Sequence, residues 1–120
     1  MFPGVEVRLD EAQVRCADIL RFTLVLTPFL DEELPSAEVS VRFETSGRGD
    51  TDEGVVLLES LAGGGATELS RSYAVRMPLV PPSYEGKNLK VDWMVRVRVL
   101  KPLGEDMVVD TPFTVVVRNG

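Results

Sequence analysis

Between Leu89 and Leu100 the chain reads LKVDWMVRVRVL, and one face of its alternation is apolar without interruption. Leu89, Val91, Trp93, Val95, Val97 and Val99 fall on one side; Lys90, Asp92, Met94, Arg96 and Arg98 fall on the other. A period of two is that of a β-strand, because successive side chains leave opposite faces of the pleat. Twelve residues in that geometry span about 40 Å, well beyond an ordinary strand. One apolar face this long must be covered by a second layer, and a polar opposite face argues for antiparallel rather than parallel pairing. The stretch therefore commits the chain to a sheet packed on another sheet.

The same period recurs along the rest of the 120 residues. Val5, Val7 and Leu9 alternate with Glu6 and Arg8. Leu20, Phe22, Leu24 and Leu26 alternate with Arg21 and Thr23. Val39, Val41 and Phe43 alternate with Ser40, Arg42 and Glu44. VVLLES (55–60) is a short continuous apolar run. Leu69, Tyr73, Val75 and Met77 share a face, with Arg71 as the exception, and Met107 to Val117 forms a last strand. Polar, Gly- and Pro-rich segments separate these runs and read as turns. Residues 11–19, EAQVRCADI, have no helical periodicity on either flank and read as a connection or irregular strand. Nineteen valines suit a pleated, half-buried surface. The expected fold is all-β: a single domain over 1–120 forming an immunoglobulin-like antiparallel β-sandwich of about seven strands.

Composition narrows the function classes. The formal net charge is −6 and there is no histidine. Without a basic footprint, nucleic acid is not an expected partner. No apolar run approaches the roughly 20 residues that span a bilayer, so membrane insertion is not expected either. MFPGVEVRLD lacks the basic and apolar regions of a signal peptide, and a cytoplasmic location is the expectation. The lack of histidine removes the usual general base and the usual zinc ligand. Cys16 is the single cysteine; it reads as a small packed residue. DTDEG (50–54) begins like a calcium loop around Asp50, Asp52 and Glu53, but Gly54 and Leu61 occupy positions where oxygen ligands belong. RGD (48–50) and GGG (63–65) read as polar turn segments. No metal, cofactor or catalytic activity is expected.

MPLVPPSYEG (77–86) stands directly before the long strand. Pro81 and Pro82 donate no ladder hydrogen bonds, so pairing must stop near Val80. Gly86 is free to take positive φ and re-aim the chain. The segment reads as a stiff crossover, with the ring of Tyr84 on the end of the sandwich and its hydroxyl in water. From Tyr73 to Leu100 the chain resembles the middle of an arrestin-type amino-terminal domain. That superfamily includes arrestins, arrestin-domain proteins, Vps26 proteins and the bacterial sporulation-control Spo0M-like proteins. Its pattern is an aromatic, an alternating strand, Leu-Pro, Pro-Pro-Ser-Tyr/Phe-Glu-Gly, and a strand with an early aromatic. Met77-Pro78 stands for Leu-Pro, residues Pro81 to Gly86 match one by one, and Trp93 is the aromatic. Upstream, Ala17 stands where the family has a glycine. The resemblance implies an arrestin-like fold with scaffolding, cargo or receptor binding and no catalysis. Family members usually join two such sandwiches, so the chain is expected to be a single-domain relative or an amino-terminal half.

The functional expectation is a non-catalytic protein-interaction or scaffold domain. The candidate partner-binding residues are the acids Asp31, Glu32 and Glu33 and the basic face of Lys90, Arg96 and Arg98. The alternative is a structural domain that self-associates or serves a larger assembly. It would use Val56, Leu58, Val108 and Val116, which lie out of phase with their strands' core positions and would form an apolar patch if exposed together. Trp93 is expected in the core, among Phe22, Phe43, Val95 and Phe113.

Overall fold

A computed structural model describes residues 4–27, 36–47, 51–61, 69–79, 81–86, 89–100 and 106–117. Their strands run in the order β1 (Val5–Leu9), β2 (Gln13–Arg15), β3 (Ile19–Leu26), β4 (Ser36–Gly47), β5 (Glu53–Leu61), β6 (Leu69–Arg76), β7 (Tyr84–Glu85), β8 (Leu89–Leu100) and β9 (Met107–Val116). The runs of period two are β1, β3, β4, β6, β8 and β9, and the continuous apolar run VVLLES is β5. The two further strands, β2 and β7, have three and two residues. No helix occurs among the described residues, and 11–19 is a short strand and a turn.

Two sheets result. The smaller has the order β1-β3-β6 and the larger β2-β9-β8-β4-β5, with β7 paired to β8. All pairs are antiparallel except β2 with β9. This single parallel pair departs from the antiparallel expectation. Its origin is local: the chain leaves β1, runs along β9 for three residues and then enters β3 in the other sheet. The long strand β8 is the spine of the larger sheet. It pairs with β4 over its whole length, from Gly47↔Leu89 to Ser36↔Leu100.

The facing surfaces follow the alternation. Val91, Trp93, Val95, Val97 and Val99 of β8 are buried against Leu20, Phe22, Leu24 and Leu26 of β3 and the rest of one apolar cluster. Burying one such side chain contributes about 1.5–3 kcal/mol. Trp93 sits at the centre, 1% exposed, with the rings of Phe43 and Phe113 at 5.0 and 6.0 Å. Phe22 belongs to the same cluster and stacks on Tyr73 at 4.9 Å. Leu89 is in phase with the buried row but exposed, because it lies at the open end of the sheet opposite Gly47.

The turn after β2 fixes how the two sheets join. Ala17 has φ 69°, in the left-handed region that costs a residue with a Cβ about 1–2 kcal/mol. It occupies the position where the arrestin-type pattern has glycine. Neighbouring ties hold it there: Cys16 N–H donates to Val116 O, Ala17 N–H to Pro78 O and Met77 N–H to Asp18 O, while the Arg76 guanidinium donates to Ala17 O.

Candidate functional site

The crossover Pro81–Gly86 is bound into the fold at each end. The β8–β9 ladder runs from Val99↔Met107 to Trp93↔Phe113 and then opens. Beyond that point β7 takes over on β8, through Tyr84↔Val91 and Glu85↔Lys90. Ser83 closes the gap on the β9 side. Its N–H donates to Val115 O at 2.7 Å, and its Oγ accepts the Val115 N–H at 2.8 Å. A serine side chain thus supplies the acceptor that a neighbouring strand would otherwise offer. The Trp93 indole N–H donates to Pro81 O at 2.9 Å, which satisfies the one polar atom of the buried ring. The prolines end one ladder, and the segment they stiffen is pinned to the core tryptophan.

Two details of the expected crossover are corrected. Positive φ among the described residues belongs to Gly4, Ala17 and Gly47, not to Gly86. Gly86 instead leaves room for Tyr84: a Cβ there would meet Cε1 and the hydroxyl of Tyr84 at 2.5 Å, and the exposed ring would have to move aside. The Tyr84 ring therefore leans over Gly86 and is 54% exposed, instead of packing on the end of the sandwich.

Lys90, Arg96 and Arg98 share the outer face of β8, but their situations differ. Arg96 is clamped: Nε and Nη2 donate to both carboxylate oxygens of Asp110 at 2.7 and 3.0 Å, and Nη2 reaches Glu44 at 2.6 Å. Those bonds, Asp110 first, hold its guanidinium even more firmly protonated than usual, against the opposing effect of burial. This links β9, β8 and β4 across the sheet. Lys90 lies 3.8 Å from Asp92, and Arg98 is exposed without an ion-pair partner among the described residues. Asp31, Glu32 and Glu33 lie outside the described residues.

The outer face also carries Ser40, 2% exposed, whose hydroxyl accepts from Arg42 Nε at 3.1 Å. Val56 and Leu58 lie on β5, whereas Val108 lies on β9 and Val116 is half-buried. In the ladder row through Leu58, Ser40 and Arg96 separate β5 from Asp110 of β9. Three strand spacings put Leu58 and the β9 row about 14 Å apart. The four residues do not form one patch.

Val55, Val56 and Leu58 do come together, on β5 alone. Leu58 is 60% and Val55 48% exposed. A register shift between Val41 and Arg42 of β4 makes Val56 the extra residue of a bulge. On the inner side of β5, Glu59 pairs with Val39 and faces the seam between the sheets. Across that seam the Tyr73 hydroxyl is buried with no hydrogen-bond partner among the described residues; Glu59 approaches it without reaching hydrogen-bond geometry. Burial first, and the Glu59 charge second, push this phenol up to about 12.

Among the described residues, no group of three or more His, Cys, Asp or Glu side chains is arranged to hold a metal ion. Asp52 is engaged in the turn between β4 and β5. Its carbonyl accepts from Thr45 N–H at 2.7 Å, and its carboxylate accepts from Glu53 N–H at 2.8 Å. An open cleft of about 490 Å³ beside it is lined by Glu44, Thr45, Asp52, Glu53, Asp92 and Met94 among others. A second, of about 470 Å³, follows the split between β8 and β9 past Ser83, Tyr84 and Pro112. No helix among the described residues is long and apolar enough to cross a membrane.

The sequence matches no family model and no curated protein. Among solved structures, the fold is similar to that of Spo0M, the sporulation control protein from Bacillus subtilis. The TM-score is 0.67 and the identity 12%, with 96% of this chain and 49% of that one covered. The chain thus spans about half the length of that protein. The architecture is that of an arrestin-like β-sandwich, as the proline stretch implied.

Proposed function

We propose that this arrestin-like sandwich is a non-catalytic protein-interaction domain that works from the cytoplasm by surface recognition. The observation that carries this reading is the contrast in how its polar and apolar groups are used. The conspicuous motif Pro81–Gly86 spends Ser83 and the Pro81 carbonyl on internal bonds. Val55, Val56 and Leu58 are instead exposed side by side on an edge strand. Edge strands are where sandwich domains take up partner segments, while the scaffold behind them stays rigid. The similarity to Spo0M supports the architecture that such a role needs; no partner is carried over from it.

The test is affinity capture from a cell extract with the folded domain, followed by identification of what is retained. The expected result is a defined set of proteins that survives moderate salt and is absent from a destabilised Trp93→Ala control. Size-exclusion chromatography with light scattering over a range of concentrations addresses the self-association alternative. A concentration-dependent dimer with no captured protein would replace the interaction reading with that one.

A further inference from the structure

We propose that this chain forms a weak, symmetric dimer in which two copies of β1 pair antiparallel, edge to edge. The dimer goes beyond the protein-interaction reading and leaves β5 free. β1 ends the order of the smaller sheet, and among the described residues it pairs with β3 alone. β6, at the other end of that order, carries the Tyr73 that meets Glu59 of β5, so the two edges lie on different sides of the sandwich. The direction of the backbone groups of β1 follows from the ends of its ladder. Thr27 N–H donates to Gly4 O, and Asp10 N–H donates to Arg21 O. Even-numbered residues of this stretch therefore exchange their bonds with β3, and Val5, Val7 and Leu9 turn their N–H and C=O groups to the open edge. That row is a template for another strand.

The side chains name the occupant. β1 reads Val-Glu-Val-Arg-Leu, and this order is complementary to itself. A twofold axis through Val7 sets Val5 against Leu9, Glu6 against Arg8 and Val7 against Val7 of the second copy. The apolar pairs hydrogen-bond through the open row. Each Glu6–Arg8 pair falls at a non-hydrogen-bonded position, where opposed Cα atoms are about 4.5 Å apart and side chains are closest. Glu6 and Arg8 are exposed on the outer face, where they bond to each other along the strand at 2.8 and 3.1 Å. In the dimer each also faces its opposite on the other copy. Val5, Val7 and Leu9 belong to the apolar cluster between the sheets, so their row continues from one copy to the next. Charge fixes the register as well. Sliding the copy by two residues sets Glu6 against Glu6 or Arg8 against Arg8, which opposes pairing. A partner strand must therefore offer Glu and Arg in the reverse order, as the second copy does. A ladder of five residues is far smaller than the roughly 1,000 Å² of a stable interface, so the association is weak.

The test is sedimentation equilibrium of the whole chain at concentrations up to about 1 mM, where so small an interface is measurable. A monomer–dimer equilibrium is expected. Glu6→Arg and Arg8→Glu each set like charges across the axis and should weaken the dimer at least about tenfold, with unchanged circular dichroism. Mixed in equal amounts, the two variants should form a heterodimer at least as tight as the original dimer, because every arginine then meets a glutamate. The double variant Glu6→Arg/Arg8→Glu should recover self-association. A chain that stays monomeric throughout would overturn the proposal; if Glu6→Arg then also loses proteins captured from a cell extract, β1 belongs to another protein. A dimer that survives both single reversals, or is lost in Leu58→Lys and kept in Glu6→Arg, would overturn it by placing the contact elsewhere. So would a mixture of the two variants that stays monomeric. A dimer that follows these charges, found together with captured proteins that Glu6→Arg still retains, supports the proposal and the interaction reading as separate properties of two edges.

Discussion

The crossover Pro81–Gly86 and the edge strand β5 make opposite use of their side chains. The crossover contains the rarest residue combination in the chain, yet its serine and a proline carbonyl point into the fold, to Val115 and Trp93. The run VVLLES has no motif at all, yet it turns Leu58 and Val55 to solvent. The difference teaches that a distinctive motif marks a place where geometry is demanding, which is not the same as a place where partners bind. In the crossover the demand is to leave one ladder, fill the gap opened between β8 and β9, and satisfy a buried indole. At β5 the geometry is a ladder with one bulge at Val56, and the exposed surface is what stands out.

The contrast can be attacked from the crossover side first. Trp93→Ala removes the ring at the centre of the core together with the donor to Pro81, and should cost about 3–5 kcal/mol in chemical denaturation. An unchanged denaturation midpoint would detach the crossover from the core. Ser83→Ala deletes the acceptor of the Val115 N–H and should cost about 1–2 kcal/mol, most of it for the orphaned donor. A threonine there, which keeps the hydroxyl, should recover most of the loss. Tyr84 and Glu85 are the more visible residues, but both are exposed, so their replacement should matter less than that of Ser83.

Ala17→Gly should stabilise the domain by about 1 kcal/mol. It relieves a left-handed φ that only a residue without Cβ adopts at no cost, less the chain entropy that glycine adds to the unfolded state. A destabilised glycine variant would show that the ties to Val116 and Pro78 already absorb the strain. On the β5 side, the Tyr73 phenol gives a pH signature. Its folded value of about 12 lies above the ordinary 10. The unfolded chain therefore loses this proton first, and the contribution to stability, complete below pH 10, is lost as pH rises toward 12. Denaturation curves of Tyr73→Phe should be flatter than those of the original protein across that window. Parallel curves would remove the seam between β5 and β6 as the cause. The smallest expected change is that of Leu58→Lys, within about 0.5 kcal/mol, as for a surface position.

Much of this architecture was legible in the residues. The period of two marked six of the strands because each has one face to bury, a continuous apolar run marked β5, and Trp93 declared itself by its place in the unbroken row of β8. The short strands were illegible for lack of length: Gln13–Arg15 offers one apolar residue, Val14, and two residues of β7 show no period at all. The strain at Ala17 was visible only as a departure from the glycine of the arrestin-type pattern. The surface was harder. Lys90, Arg96 and Arg98 share a face as their spacing requires, but only the order of strands brings Asp110 and Glu44 against Arg96. The edge position of β5 is likewise a property of the sheet order. A continuous apolar run reads as buried on both faces, and nothing within VVLLES says that the sheet stops there.

The most direct test of the contrast sets Ser83→Ala against Leu58→Lys in one experiment. For each variant the free energy of unfolding and the retention of the proteins captured from a cell extract are measured, with retention taken per folded molecule. The account predicts a crossed result. Ser83→Ala should lose about 1–2 kcal/mol of stability with unchanged retention, and Leu58→Lys should keep its stability while retaining less of the captured set. Ser83→Ala that abolishes capture with its stability intact would contradict it, and would make Pro81–Gly86 the recognition loop and β5 the scaffold.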